Sequence, residues 1–263
     1  MYSFDFERPT TVADAVAALS KEEAQALGGG QTLIPTLKQR LASPSVLVSL
    51  SAIEEIKGVC NDGGVLNIGG GTCHADVAAA AASDFPALAK LAGNIGDPAV
   101  RSRGTIGGSL ANNDPSACYP SAALGTGATI VTNTREIAAD DYFQGMFTTA
   151  LEEGEIITAV KMPIPEKAAY IKFEQPASRF SLVGVFVTKG ADGVRVAVTG
   201  ASEDGVFRWT EAEVALNGNF DASALDGLSV SGDGMISDLH GSGDYRAHLV
   251  AVLTKRAVTE ANG

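Results

Sequence analysis

The sequence is poor in the residues from which many active sites are built. It has three cysteines, three histidines and one tryptophan in 263 residues. Cys60, Cys73 and Cys118 form no Cys-x-x-Cys pair, so neither an iron–sulfur cluster nor a structural zinc site is encoded. Three reduced, mostly buried thiols are the plain reading. His74, His240 and His248 are scattered and make no metal site, and the last two read as surface or helix residues. Basic residues are also few. The chain has 19 Lys and Arg against 31 Asp and Glu, a net charge of −12, which argues against a nucleic-acid surface. No apolar run reaches the roughly 20 residues of a membrane span. The N-terminus, Met1 to Asp5, has neither the basic nor the apolar region of a signal peptide. A cytoplasmic protein is expected.

The two common nucleotide fingerprints are missing as well. No glycine is followed by Lys and then Ser or Thr, as a Walker A loop requires. The spacing Gly-x-Gly-x-x-Gly does not occur in the first glycine loop, whose next residues are Gln31, Thr32 and Leu33.

Glycine itself is abundant, and it clusters. Leu27-Gly28-Gly29-Gly30-Gln31-Thr32-Leu33-Ile34 follows a short apolar run and leads into a helix expected from Leu33 to Leu41. Without a Cβ atom the backbone can take positive φ and approach a ligand closely. The first turn of the next helix has unpaired N–H groups and a partial positive charge, a combination suited to phosphate. Thr105-Ile106-Gly107-Gly108-Ser109 has the same character, and Gly69-Gly70-Gly71-Thr72 precedes another helix. Three such loops in the first 110 residues suggest the walls of one dinucleotide site.

Taken in order, the chain reads as α/β at first. Phe4 to Phe6 alternates like a strand, Thr11 with Asp14 opens a helix to Leu19, a strand ends at Leu27, and Ser45 to Leu50 forms another. This is a compact β-α-β-α-β run. Ile56 to Ile68 reads as a hairpin turning at Asn61-Asp62-Gly63-Gly64. Thr72 is placed to cap an Ala-rich helix from His74, and Pro86 to Leu91 forms the next. Gly93 to Asp114 shows little periodicity and reads as a long functional loop. A helix over Pro115–Leu124, a strand over Ala128–Thr132, a helix over Asp140–Met146 and a strand over Glu155–Met162 follow. Beyond Pro163-Ile164-Pro165 the texture becomes alternating strands with a turn at Ala191-Asp192-Gly193, then helices near Glu211–Leu216 and Tyr245–Glu260. Domains are expected at 1–165, with subdomains of about 1–55 and 56–165, and at 166–263.

Gly28-Gly29-Gly30-Gln31-Thr32-Leu33-Ile34 and Thr105-Ile106-Gly107-Gly108-Ser109, continued by Leu-Ala-Asn-Asn-Asp-Pro, resemble the two signature loops of a known family. It is the FAD-binding medium subunit of molybdenum hydroxylases, the carbon monoxide dehydrogenase and xanthine dehydrogenase flavoproteins. Pro9-Thr10-Thr11 with Asp14-Ala15, and Glu155-Ile156-Ile157 before Pro163, are similar to the family's opening and to its approach to the C-terminal domain. The resemblance implies an α+β protein: the FAD-binding fold of the vanillyl-alcohol oxidase type, in two α/β subdomains, followed by a small α/β domain with a three-stranded sheet. It implies that Leu27 to Ile34 and Thr105 to Ser109 line the FAD site, holding the pyrophosphate through backbone N–H groups and hydroxyls. Ile157 matches a position that contacts FAD through its backbone, and Lys172 matches a lysine near the flavin. One position departs: the residue three after Pro115 is often Asp in the family and here is Cys118, a thiol that replaces a carboxylate acceptor poorly.

The same resemblance implies partners. A molybdenum-cofactor large subunit would hydroxylate the substrate, and a small subunit carrying [2Fe-2S] clusters would pass electrons to FAD on this chain. NAD, a quinone or oxygen would accept them, in a dimer of heterotrimers. Two rival readings stay open at this point. One is a self-sufficient flavin oxidase or dehydrogenase, which needs a catalytic base that the sequence does not display. The other is a scaffold whose glycine loops no longer bind FAD. Cys73-His74 is a poor nucleophile pair, because adjacent helical residues point apart. Arg101 and Arg103 could meet phosphate, an acidic partner or solvent, Trp209 and Phe180 read as core before flavin stackers, and Asp140-Asp141 as a helix start.

Overall fold

The computed structural model describes residues 1–263. The chain opens with β1 (Asp5–Glu7), α1 (Val12–Leu19), β2 (Ala24–Leu27), α2 (Leu33–Lys38) and β3 (Val46–Ser49), which build a parallel sheet of order β1-β3-β2. All four residues of β3 are buried, as expected of the central strand of a parallel sheet. Thr11 caps α1 by accepting the Asp14 amide at 3.1 Å. Helix α2 stops at Lys38, short of the expected Leu41. The loop between β2 and α2, Gly28 to Thr32, leaves the sheet at the carboxyl end of its strands, where α/β sheets commonly bind ligands.

A hairpin of β4 (Val59–Asp62) and β5 (Val65–Gly69) turns through Gly63 and Gly64, both at positive φ. Next come α3 (His74–Ala80), α4 (Pro86–Gly93), α5 (Pro98–Arg101), α6 (Ile106–Asn112) and α7 (Tyr119–Thr126). The expected loop over 93–114 thus holds two short helices. Asp97 and Thr105 cap them by accepting the amides of Val100 and Gly108, and the glycine pair inside α6 hid its periodicity. Thr72 does not cap α3. Its hydroxyl donates to the Gly58 carbonyl and accepts the Gly58 amide, so it ties the third glycine loop to the hairpin.

Strands β6 (Thr129–Thr132) and β7 (Glu136–Ala138) precede α8 (Ala139–Tyr142), which ends four residues earlier than expected because β8 (Phe143–Gly145) begins there and pairs with β9 (Thr148–Thr149). Strand β10 (Ile157–Pro163) completes an antiparallel sheet of order β4-β5-β10-β6-β7. Helices α3, α4, α6 and α7 cover it, and a core from Leu66 to Met162 fills the space between.

The remaining chain forms β11 (Lys167–Glu174), β12 (Ser181–Gly190), β13 (Gly193–Ser202) and β14 (Gly205–Arg208), with α9 (Thr210–Gly218) and α10 (Gly243–Asn262) on one face. The expected three long strands carry a short fourth, in the order β11-β12-β13-β14. The other face of this sheet sits on α7. Tyr170 and Phe186 enter the central core, Phe186 meeting Phe85 edge-on at 6.1 Å. Thr188 and Arg195 donate to the Gly125 and Leu124 carbonyls at the end of α7, and Arg195 also grips Asp140 at 2.6 Å. Asp140 is therefore an anchor between sheets, not an acid–base group. Its neighbours Arg195 and Arg208 hold its carboxyl below the usual carboxylate range against the opposing effect of burial.

Glu155 fixes the approach to β10. Its carboxylate accepts from Arg135 Nε at 3.0 Å, Thr132 Oγ1 at 3.0 Å and the Glu152 amide at 2.7 Å. The Arg135 hydrogen bond, helped by the threonine hydroxyls, holds its pKa at about 2 against an ordinary 4.5. The depressed value means that this stabilisation is full above the unfolded pKa and lost as pH falls toward 2. Glu155→Gln should lower the melting temperature at pH 7, and the gap to the wild type should close as unfolding is followed from pH 4.5 down to pH 2.

Candidate functional site

The three glycine segments meet. A Cβ at Gly29 would lie 1.9 Å from the Arg103 carbonyl oxygen, and one at Gly28 would lie 3.0 Å from Thr105 Oγ1. A Cβ at Gly107 would lie 2.6 Å from the Gly70 oxygen, and one at Gly70 would lie 2.1 Å from the oxygen of Ile157. Hydrogen bonds close the stack. The amides of His74, Ile106 and Gly107 donate to the Gly104, Thr72 and Gly70 carbonyls, and the Gly70 amide donates to Thr158 at 2.8 Å. Gly70 is thus a packing glycine that joins the second loop to β10, and Ile157 is brought to the site by it.

The first and second loops differ in what they have left to offer. In Thr105–Ser109, the amides of Ile106, Gly107 and Ser109 are taken by backbone carbonyls, and that of Gly108 by the Thr105 hydroxyl. In the first loop, none of the amides from Gly28 to Thr32 donates a hydrogen bond within the chain. A run of unpaired N–H groups is an anion-binding concavity. Thr32, at the cap position of α2, makes no side-chain cap bond, so its hydroxyl is free as well.

These loops form one end of a cleft of about 1270 Å³. Leu27 to Leu33, Thr105, Gly107, Gly108 and Ser109 line it, together with Ile157, Cys118 and Lys172. A contiguous chamber of about 570 Å³ shares Leu27 to Gln31 and adds Ile34, Phe6, Lys38 and Ser49. Arg8 and Arg103 line both spaces. Ile106 alone of the expected residues points elsewhere. It is fully buried in the core, and its amide serves the stack. Arg101 turns to the Ile95 and Gly96 carbonyls.

The far end of the cleft is built by the third sheet. Lys172 Nζ donates to the Asn94 carbonyl at 2.6 Å and the Arg179 carbonyl at 2.8 Å, with Cys118 Sγ at 3.9 Å. Cys118 is buried, 3.4 Å from Ser181 Oγ, which also meets the Tyr170 hydroxyl at 3.0 Å. The ammonium has no carboxylate partner there and keeps one donor beyond its two carbonyls. Arg179 and Phe180 complete this wall. Nothing in the sequence marks Asn94, which lies 78 positions from Lys172. Trp209 is core, as expected, whereas Phe180 lines the cleft.

Cys73 and His74 do not form a nucleophile pair. Burial and the Asp76 carboxylate push the Cys73 thiol up, and the thiol faces the Arg103 carbonyl at 3.8 Å. Burial, then Arg101, lowers His74 to about 4, and its Nδ1 has no partner. The cleft offers unpaired amides at one end and an ammonium without a carboxylate partner at the other, an arrangement suited to an extended anionic ligand.

A sequence model of the family described as the FAD binding domain in molybdopterin dehydrogenase matches residues 2–165. The carbon monoxide dehydrogenase medium chain of Afipia carboxidovorans is 34% identical, covering 98% of this chain and 96% of that protein. The nicotine 6-hydroxylase medium subunit of Paenarthrobacter nicotinovorans is also 34% identical, over 97% and 96% of the two chains. Among solved structures, a chain of the reconstituted CO dehydrogenase from Oligotropha carboxidovorans superposes with a TM-score of 0.89 at 32% identity, covering 99% and 98%. A chain of quinoline 2-oxidoreductase from Pseudomonas putida 86 gives 0.88 at 27% identity, covering 99% and 97%. The fold and cleft are those of a flavoprotein subunit of an oxidoreductase. The chain belongs to the FAD-binding medium subunits of molybdenum hydroxylases, and FAD is its cofactor.

Gly29→Ala should collapse this site. The new methyl meets backbone, which cannot turn aside, so the substitution should cost on the order of 1–3 kcal/mol and abolish FAD binding in a titration. Gly218→Ala, where a Cβ meets nothing within 4 Å, should leave FAD binding unchanged and raise the melting temperature slightly.

Proposed function

We propose that this chain is the electron-transfer subunit of a three-chain molybdenum hydroxylase. FAD, when bound, would supply redox chemistry between the iron–sulfur clusters of a small subunit and an external acceptor: NAD, a quinone or oxygen. The single observation that carries the reading is the shape of the cleft, with unpaired amides at one end and an unneutralised ammonium at the other. The amides of Gly28 to Thr32 and the Ser109 hydroxyl hold the pyrophosphate. Leu27, Leu33, Ile34, Thr105, Gly107, Gly108 and the backbone of Ile157 bound the ligand, and Cys118 and Lys172 flank the ring. Residues 1–165 form the FAD-binding domain, and residues 166–263 form the domain that closes over it.

The side chains gather no group of three His, Cys, Asp or Glu able to hold a metal ion. Molybdenum and [2Fe-2S] centres therefore belong to other chains in this reading, a large and a small subunit arranged as a dimer of heterotrimers in the cytoplasm. No helix is long and apolar enough to cross a membrane. The relatives' names, a carbon monoxide dehydrogenase medium chain and a nicotine 6-hydroxylase medium subunit, support the three-part organisation.

The purified chain should show the absorption spectrum of non-covalent FAD, or acquire it when FAD is added. FAD at about a hundred times its Kd should stabilise the fold by about 2.7 kcal/mol in a thermal melt. A chain that stays colourless with FAD in the presence of its co-expressed partners would overturn the assignment, and substrate turnover by the isolated chain would replace the subunit reading by a self-sufficient oxidase.

A further inference from the structure

The sequence reads His240 as a surface or helix residue; in the structure it sits in the middle of a continuous set of contacts that ends at the cleft. The set starts at Arg246 on α10, one of the most deeply buried side chains of the protein. Its guanidinium donates to the Leu182 and Gly200 carbonyls at 2.7 and 2.8 Å and to Asp238 Oδ1 at 2.8 Å. That same carboxylate oxygen accepts the amides of His240 at 2.9 Å and Gly241 at 3.2 Å. The segment 238–241 is thereby fixed to the body of the third sheet. From it, His240 Nδ1 meets Gln175 Nε2 at 3.0 Å, and the Phe180 ring packs edge-on against the imidazole at 5.3 Å.

Gln175 and Phe180 are the two ends of the turn between β11 and β12, closed by the Gln175 amide on the Phe180 carbonyl at 3.0 Å. Within that turn Ser178 and Arg179 both have φ of 59°. Two successive side-chain-bearing residues in the left-handed region cost of order 1–3 kcal/mol each and persist only where their surroundings over-determine them. Inside the turn the Arg179 amide donates to the Gln175 carbonyl at 3.1 Å, and the Arg179 guanidinium reaches the Gly96 carbonyl at 3.4 Å; from outside, His240 touches both of its ends, Gln175 and Phe180. The result of the strained geometry is specific: the Arg179 carbonyl faces inward and accepts from Lys172 Nζ at 2.8 Å. The second carbonyl on that ammonium, Asn94, belongs to the cap at the end of α4. Lys172 is therefore placed by two backbone oxygens, one of which exists only in the strained turn.

We infer that His240 is a positioning residue for the Lys172 ammonium, holding the Gln175–Phe180 turn so that the Arg179 carbonyl keeps that charge at the ring end of the cleft. This rests on the reading that the flavin ring lies beside Lys172. Reduced flavin carries more negative charge than oxidised flavin, so a fixed cation beside it favours reduction. Cys118, the other side chain on Lys172, is a thiol and leaves that charge unneutralised. His240 touches neither cofactor nor reacting atoms; it acts through the turn and through Lys172.

The test is the midpoint potential of the full chain loaded with FAD, measured for the wild type, Lys172→Gln, His240→Ala, Gln175→Ala and the double variant His240→Ala/Lys172→Gln. Lys172→Gln should shift the potential to more negative values. His240→Ala should shift it in the same direction by a smaller amount. Gln175→Ala removes the same hydrogen bond from the other side and should reproduce that shift, with FAD still bound at one per chain. The double variant should match Lys172→Gln alone, because His240 has nothing to position once the ammonium is gone. Wild-type potentials in both His240→Ala and Gln175→Ala, alongside a shifted Lys172→Gln, would overturn the role of His240 and leave the flavin reading standing. A double variant that adds the two shifts in full would do the same. No shift in Lys172→Gln would overturn the placement of the ring itself, and this inference with it.

Discussion

The structure depends on bare backbone lying against bare backbone. Gly29 rests on Arg103 and Gly104, Gly107 rests on Gly70, and Gly70 rests on Ile157, each at a separation that leaves no room for a Cβ atom. Four stretches of chain, far apart in sequence, therefore share one thin layer. The first sheet, the hairpin and β10 are all locked by this layer, and the cleft is its open side. The stack also leaves the first loop with amides that nothing inside the chain satisfies. These amides face the open cleft, where solvent or an anionic ligand can take them, so the packing constraint also shapes the cleft.

Much of this half was legible in the sequence, and the reason is locality. The alternation of apolar runs with Thr11, Gly28–Gly30 and Pro35 announces β-α-β-α-β within 50 residues, and the parallel sheet of order β1-β3-β2 follows. The two glycine loops stand out by their clustered glycines and hydroxyl residues, and the family resemblance marks them as signature loops. The division of labour between them was not visible. Thr105–Ser109 looks like a second phosphate loop, but it is the first turn of a helix whose amides are already engaged. Thr72 looks like a cap and is a strap to Gly58, because its partner lies in another strand.

The far wall was legible only as isolated residues, Lys172 and Cys118 through the family resemblance, and for a physical reason. Its contacts join positions 94, 118, 172 and 179, pairs set by how the third sheet lies on α7 and by no local pattern. The turn that presents Arg179 has no glycine at its left-handed positions, so nothing in the composition advertises the strain. In a chain of net charge −12, a lysine facing only carbonyls and a thiol is conspicuous once seen, yet the sequence shows it as one cation among 19. His240 likewise reads as a stray polar residue until Asp238 and Arg246 are placed around it.

The dependence of that wall on Arg246 has a consequence in time. The free amides of Gly28 to Thr32 are made early, whereas the residue that pins the opposite wall lies in the last helix. At the usual pace of roughly 5–20 residues per second, on the order of ten seconds or more separate the two. Through that interval the nascent chain carries an open anion cradle with no roof. The opposite wall is complete only once α10 has folded down, so the cleft as described is a property of the finished polypeptide.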